Sequence, residues 1–241
     1  LTIANDIRGT GGINKNGPGT LVLSNPDGNG YLGPTLINDG ALLVNNTSFT
    51  GTGAGAVTVT DNALLGGSGI IEGSVELDAG ATISPGASLV TGTSGQLRTQ
   101  NGLSLLADST FKWSLSLESA ANPGVDFDRL IVDNGNLSIT SGADFEFDFA
   151  SGAEPSADAF WTVPQTWADI IQITSLGSLE TGGAFDIDNS AWVEFGSFSA
   201  SVDPSGYDLT WTPVPEPGTA ITLLGGLSVL LGMQRFRRRR V

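Results

Sequence analysis

Cysteine and histidine are both absent from the 241 residues. That removes disulfides, thiolate and imidazole metal sites, Cys/His nucleophile pairs and histidine general bases, so much enzyme chemistry is excluded at once. A cysteine-free chain is also compatible with export, because nothing in it can misoxidise. Basic side chains are scarce: ten Lys and Arg stand against twenty-five Asp and Glu, and five of the ten (Arg235, Arg237, Arg238, Arg239 and Arg240) lie in the last seven positions. Residues 1–216 hold five basic and twenty-five acidic groups, a formal charge of −20. Such a body repels nucleic acid and anionic membrane surfaces, attracts cations, and keeps a displayed protein soluble.

What is abundant is glycine. The chain has 34 Gly and 11 Pro, 15% charged residues and a mean hydropathy of +0.10. This profile fits neither disorder nor an ordinary helical protein, and with Val, Thr, Leu and Ile it points to β-structure with many tight turns. The length allows one large or two modest domains. Because the chain opens on Leu1, with neither Met nor a basic-then-apolar leader, we expect the C-terminal part of a longer or processed product.

Four nine-residue windows align without gaps: TLINDGALL (Thr35–Leu43), VTVTDNALL (Val57–Leu65), VELDAGATI (Val75–Ile83) and LSITSGADF (Leu137–Phe145). The third place is apolar (Ile37, Val59, Leu77, Ile139), the sixth is Gly or Asn (Gly40, Asn62, Gly80, Gly142) and the seventh is Ala. A fifth copy, LSLLADSTF (Leu103–Phe111), keeps the apolar places with Asp and Ser at the turn. The pattern reads as a short strand, a residue that tolerates a positive φ, a small residue past the corner, and a second short strand. Window starts step by 22, 18, 28 and 34 residues. The shorter steps suit one coil of a β-solenoid, and the longer ones imply inserted loops or a change of architecture. A β-sandwich whose hairpins share this turn chemistry is the alternative.

The stretch Gly9–Asn46 contains Lys15, Gly17, Pro18, Gly19, Thr20 and Leu21, then Tyr31 and Gly33, then Ile37, Asn38, Gly40 and Leu42. It resembles the autotransporter-associated β-strand repeat, with its Lys-x-Gly-Pro-Gly-Thr-Leu core, and Gly51–Ser88 resembles what usually follows that repeat. The resemblance implies a right-handed parallel β-helix of secreted or surface bacterial proteins, acting as stalk or passenger. A translocating β-barrel, which an autotransporter would add, is not expected from these residues.

Further along, Phe145, Phe147 and Phe149 alternate with Asp144, Glu146 and Asp148, which predicts a strand with one wet face. Tyr207, Leu209 and Trp211 behave likewise, and Phe111, Trp113, Leu115 and Leu117 are expected on a single face. A helical turn is conceivable at Ala168–Ser175, but its β-branched residues favour a strand. Carboxylates pair at i, i+2 in Asp126/Asp128, Asp144/Glu146, Glu146/Asp148 and Asp186/Asp188. On a strand such a pair shares a face, a geometry from which a calcium site or a two-carboxylate glycosidase site can be built, and Asp126 with Asp128 is the speculative metal pair. Arg129 is expected to pair locally with those two. The glycine runs Gly9–Gly12 and Gly66–Gly69 lack a phosphate-loop context and read as solenoid corners.

The tail differs from the body. Thr219–Met233 is uncharged and, as helix, about 22 Å long, short of the ~30 Å hydrocarbon core. It would span only with help, with its arginines held on the cytoplasmic side. Pro213, Pro215, Pro217 and Gly218 keep the join extended. Pro215, Glu216 and Pro217, then the apolar stretch and the terminal arginines, resemble the PEP-CTERM sorting signal. The resemblance implies processing by an exosortase-type enzyme at the inner membrane, with the tripeptide as recognition motif, Arg235 and Arg237 to Arg240 as cytoplasmic stop signal, and exopolysaccharide as a possible neighbour. The chain is therefore expected to be an all-β protein: a right-handed parallel β-helix over 1–110, a β-rich continuation or cap over 111–212, and a sorting tail with a short transmembrane helix over 213–241. Its expected role is non-enzymatic surface adhesion or scaffolding without a cofactor. A carbohydrate-active β-helix (lyase or hydrolase) and a calcium-stabilised adhesin are the alternatives.

Overall fold

The structure is a computed structural model and describes residues 1–215, without the side chains of 175–178 and 180–182. Glu216, Pro217, the apolar stretch and the arginine block lie outside the described residues, as does the expected transmembrane helix. Among the described residues no helix is long and apolar enough to cross a membrane.

The chain winds in coils, each laying short parallel strands on the coil before. The first coil holds β1 (Thr2–Ile3), β2 (Arg8–Gly9) and β3 (Ile13–Lys15), and the second holds β4 (Thr20–Leu23), β5 (Gly30–Tyr31) and β6 (Thr35–Ile37). The third has β7 (Gly40–Val44) and β8 (Val57–Val59), and the fourth β9 (Ala63–Gly67), β10 (Ile70–Ile71) and β11 (Val75–Leu77). In the fifth come β12 (Thr82–Pro85), β13 (Gln96–Thr99) and β14 (Leu103–Leu105); the sixth has β15 (Thr110–Leu115) and β16 (Arg129–Ile139). The seventh has β17 (Asp144–Phe149) and β18 (Gln165–Gly182), before β19 (Asp186–Ile187) and the hairpin of β20 (Gly196–Asp203) and β21 (Gly206–Pro213). One sheet runs β1-β4-β7-β9-β12-β15-β17-β19, and a second runs from β3 through β6, β8, β11, β14, β16 and β18 to the hairpin. This is an all-β solenoid with parallel sheets, and the ladders pass through Thr110 without a break.

Register confirms the repeat. Ile13, Thr35, Val57, Val75, Leu103, Leu137 and Leu179 pair in succession, at steps of 22, 22, 18, 28, 34 and 42 residues. Five of these are the first residues of the nine-residue windows. The third residues, Ile37, Val59, Leu77, Leu105 and Ile139, are all fully buried in the column between the sheets. Each fully buried aliphatic side chain contributes roughly 1.5–3 kcal/mol of transfer free energy, so the stacked column, rather than any single coil, holds the fold.

The sixth residue turns the corner in the left-handed region: φ is 66° at Gly40, 62° at Asn62, 77° at Gly80, 62° at Asp108 and 90° at Gly142. Asn and Asp tolerate that region because their short side chains hydrogen-bond locally. These corners also bond one another along the axis. The amide of Asn62 donates to the Gly80 carbonyl (3.2 Å), Gly80 to Asp108 (2.8 Å) and Asp108 to Gly142 (2.7 Å). The seventh residue lies inside the bend, and Ala63, Ala81, Ser109 and Ala143 are at most 1% exposed.

A second corner precedes each window by two residues and was not part of the expected pattern. There Gly11, Gly33, Gly55, Gly73, Asn101 and Gly135 stack coil on coil. A Cβ on Gly55 would lie 2.2 Å from the Gly33 carbonyl oxygen, one on Gly73 1.9 Å from that of Gly55, and one on Gly135 2.7 Å from the Asn101 carbonyl carbon. At Gly33, Gly55, Gly73 and Gly135 the backbones close in until no side chain fits.

The lengthening coils enclose more space, which aromatic side chains fill. Trp113 meets Trp167 at 5.4 Å and Phe127 at 6.1 Å, and Phe111 meets Phe145 edge-on at 5.5 Å. Their polar ends stay bonded: Trp113 donates to the Asp128 carbonyl and Trp167 to that of Ser119, both at 3.0 Å. The antiparallel hairpin closes the end, with Trp211 against Trp161 at 5.2 Å. Ala168–Ser175 lies within strand β18, as its β-branched residues favoured. Leu117 departs from expectation and is 56% exposed. Strand β15 stops at Leu115, where the amides of Ser116 and Leu117 turn to the Asp126 carbonyl, so the alternation ends before Leu117.

Replacing Gly73 by Ala should lower unfolding stability by about 1–3 kcal/mol through overpacking, whereas Gly11→Ala, whose Cβ meets nothing within 4 Å, should change it by less than about 0.5 kcal/mol. Urea unfolding of the two variants beside the parent chain checks this; equal costs would contradict the stacked-glycine corner.

Candidate functional site

The repeat-core residues form a clip across the first three coils. Gly40 turns directly over Gly17, Pro18 and Gly19: a Cβ there would come within 2.7 Å of the backbone of all three. Lys15 is buried, and its ammonium donates to the carbonyls of Gly17 and Asp39, both at 2.7 Å. One lysine thus ties the corner of one coil to that of the next. Leu21 and Leu42 pair in register beneath it, both buried. The Gly9–Gly12 and Gly66–Gly69 runs lie at corners, with Gly67 at φ 121° and Gly12 packed so that a Cβ would strike the Pro34 oxygen at 2.0 Å.

Asp126 and Asp128 are both withdrawn from solvent, at 3% and 0% exposure. They share no hydrogen-bond donor. Asp126 Oδ2 accepts from the Ser119 hydroxyl (2.6 Å) and from the Asn122 amide nitrogens, backbone (3.2 Å) and side chain (2.8 Å). The Ser119 hydroxyl, and then the Asn122 groups, hold its carboxyl below the usual range. Asp128 accepts from the backbone of Gly95 (2.8 Å) and Ser114 (2.9 Å); burial pushes its carboxyl well up, against the pull of those amides. A fully enclosed carboxylate cannot touch a polysaccharide. Among the described residues no three Asp or Glu side chains gather as metal ligands. Arg129 also differs from expectation: its ion pair is with Asp169 at 3.6 Å, because the neighbouring carboxylates are already engaged with loop amides.

The loop 86–95 is held down by the Asp128 and Asp148 carboxylates. It leaves β12 and folds back across the outer face of the first sheet. The Asp128 carboxylate takes the Gly95 amide, while Asp148 Oδ2, two coils on from β12, takes that of Gly92 at 3.0 Å. Asp148 is therefore only 12% exposed, although the alternation put it on a wet face with Asp144 and Glu146. Lys112 stands beside it, 3.7 Å from Asp148 and 3.3 Å from Glu146.

Under the loop lies a cleft of about 220 Å³ that crosses four successive coils. Its floor is formed by the outward residues Leu64 of β9, Ser84 of β12, Lys112 of β15 and Asp148 of β17; Leu89 and Val90 overhang it. Sequence reasoning missed this cleft. Its one trace was the 28-residue step from Val75 to Leu103, which signals an inserted loop but not where it folds.

No family model matches the chain. A segment of 86 residues, 36% of the chain, is 35% identical to the Adhesin BmaC autotransporter of Brucella suis biovar 1 (strain 1330). The segment is similar to an autotransporter adhesin. It corresponds to 2% of that adhesin's length, so the match speaks for the repeat and not for the whole adhesin. It supports the autotransporter-associated repeat, in keeping with the parallel all-β fold.

The two buried acids should respond to pH with opposite signs. The lowered Asp126 contributes stability that is complete above the unfolded value of about 3.9 and is lost as pH falls through its folded value; the raised Asp128 contributes stability that is complete below about 3.9 and is lost as pH rises through its folded value. The Tm deficit of Asp126→Asn relative to the parent should shrink on acidification, and that of Asp128→Asn should shrink as pH rises. Deficits moving in the same direction would refute the assignment.

Proposed function

We propose that the chain is a non-enzymatic, surface-displayed β-solenoid that serves adhesion or scaffolding in a bacterial envelope. The observation that supports this most is the uninterrupted parallel ladder from β1 to β19, which makes an extended acidic body. The likeness to an adhesin segment supports the same reading. The coil is taken as right-handed, the sense that strand twist favours in parallel crossovers. Beads coated with the chain should be retained on envelope exopolysaccharide or on cells several-fold above beads coated with a globular protein of equal charge. Equal retention would remove the adhesive role.

Delivery is proposed to run through the C-terminal signal. The cap ends with Val214 half-exposed and Pro215 exposed, which leaves the chain accessible where Pro215, Glu216 and Pro217 begin. An exosortase-type enzyme would cut near that tripeptide after Arg235 and Arg237 to Arg240 had held the chain at the inner membrane. Mass spectrometry of native envelope material should find mature chains without Arg237 to Arg240, and Glu216→Ala should accumulate the unprocessed form. Finding the arginines on most mature molecules would sink the sorting assignment.

A further inference from the structure

We propose that the cleft under the loop 86–95 binds a single neutral sugar residue of a glycan, an inference that rests on the adhesive reading of the solenoid. Its size sets the first limit. Pockets for drug-sized ligands measure roughly 300–1,000 Å³, so about 220 Å³ leaves room for one small ring.

Its lining sets the second. Leu89 and Val90 above and Leu64 on the floor offer aliphatic surface for the C–H face of a pyranose ring. Beside Leu64 on the floor stand a hydroxyl (Ser84), an ammonium (Lys112) and a carboxylate (Asp148), which together provide donors and acceptors for vicinal hydroxyls. The Lys112 ammonium carries three protons and pairs with two carboxylates, at 3.3 and 3.7 Å, so at least one proton is left for a ligand oxygen.

Charge sets the third limit. Two carboxylates face one ammonium within a body of formal charge −20, a field that disfavours uronates and other anionic sugars.

The site is also preorganised. Its floor rests on four stacked strands, and its far wall is pinned by the Asp128 and Asp148 carboxylates through the amides of Gly95 and Gly92. A single ring of about a dozen atoms should bind with a dissociation constant on the order of 1 mM, and adhesion would then come from many chains engaging one polymer.

Saturation-transfer NMR with the chain and the methyl glycosides of glucose, galactose, mannose and glucuronate tests this. At least one neutral glycoside should show transfer at millimolar concentration, and the glucuronide should show several-fold less. Ser84→Leu, which fills the floor from an outward strand position, and Lys112→Gln, which removes the ammonium, should each weaken binding about ten-fold with the parent's Tm retained. No transfer from any neutral glycoside, equal transfer from glucuronide, or full binding by either folded variant overturns the proposal. Coated-bead retention separates the two readings: if Ser84→Leu chains adhere as the parent does, the solenoid is adhesive and the cleft is not the reason.

Discussion

Hydrogen bonding between successive coils is the constraint on which everything else depends. Parallel strands pair only when their backbones lie about 4.8 Å apart, and a solenoid must keep that spacing around its corners as well as along its sheets. Corners are where side chains obstruct. One series solves this with left-handed residues that also bond each other along the axis, from Asn62 through Gly80 and Asp108 to Gly142. The other removes the side chain altogether, as at Gly33, Gly55 and Gly73. The high glycine content is therefore a geometric requirement of stacking.

Once stacking is secured at the corners, coil length is free to vary. Coil steps of 22, 22 and 18 residues are followed by growth to 42. Each enlargement has two consequences: a wider interior that Phe and Trp fill, and a longer loop that must be fastened outside. Acidic side chains do the fastening. Asp126 orders the loop that contains Ser119 and Asn122, while Asp128 and Asp148 hold the loop 86–95 against the sheet. The same pinning roofs the cleft, so this recess with mixed polar and apolar lining is a product of the insertion.

Much of this was legible in the sequence because the solenoid repeats its physics. The nine-residue windows gave the register of the second sheet, since the third position points inward and is apolar in every window. The left-handed corner was legible from Gly, Asn and Asp at one place. The glycine corner was equally regular, two residues before each window, but Asn101 interrupts it and lone glycines draw little attention in a chain with 34 of them. Leu117 and Asp148 were misplaced because alternation predicts a face only while a strand lasts and nothing covers it.

The sequence by itself determined the coil: strand, corner and inward apolar residue follow from local periodicity, and stacking follows because one coil cannot bury its own face. Only the tertiary structure decided where the inserted loops go and which acids they employ. Asp126 and Asp128 look like a paired site in one dimension. In the fold they turn to different loops, because a carboxylate removed from water goes to the nearest unpaired donors, and those are supplied by segments up to 33 residues away.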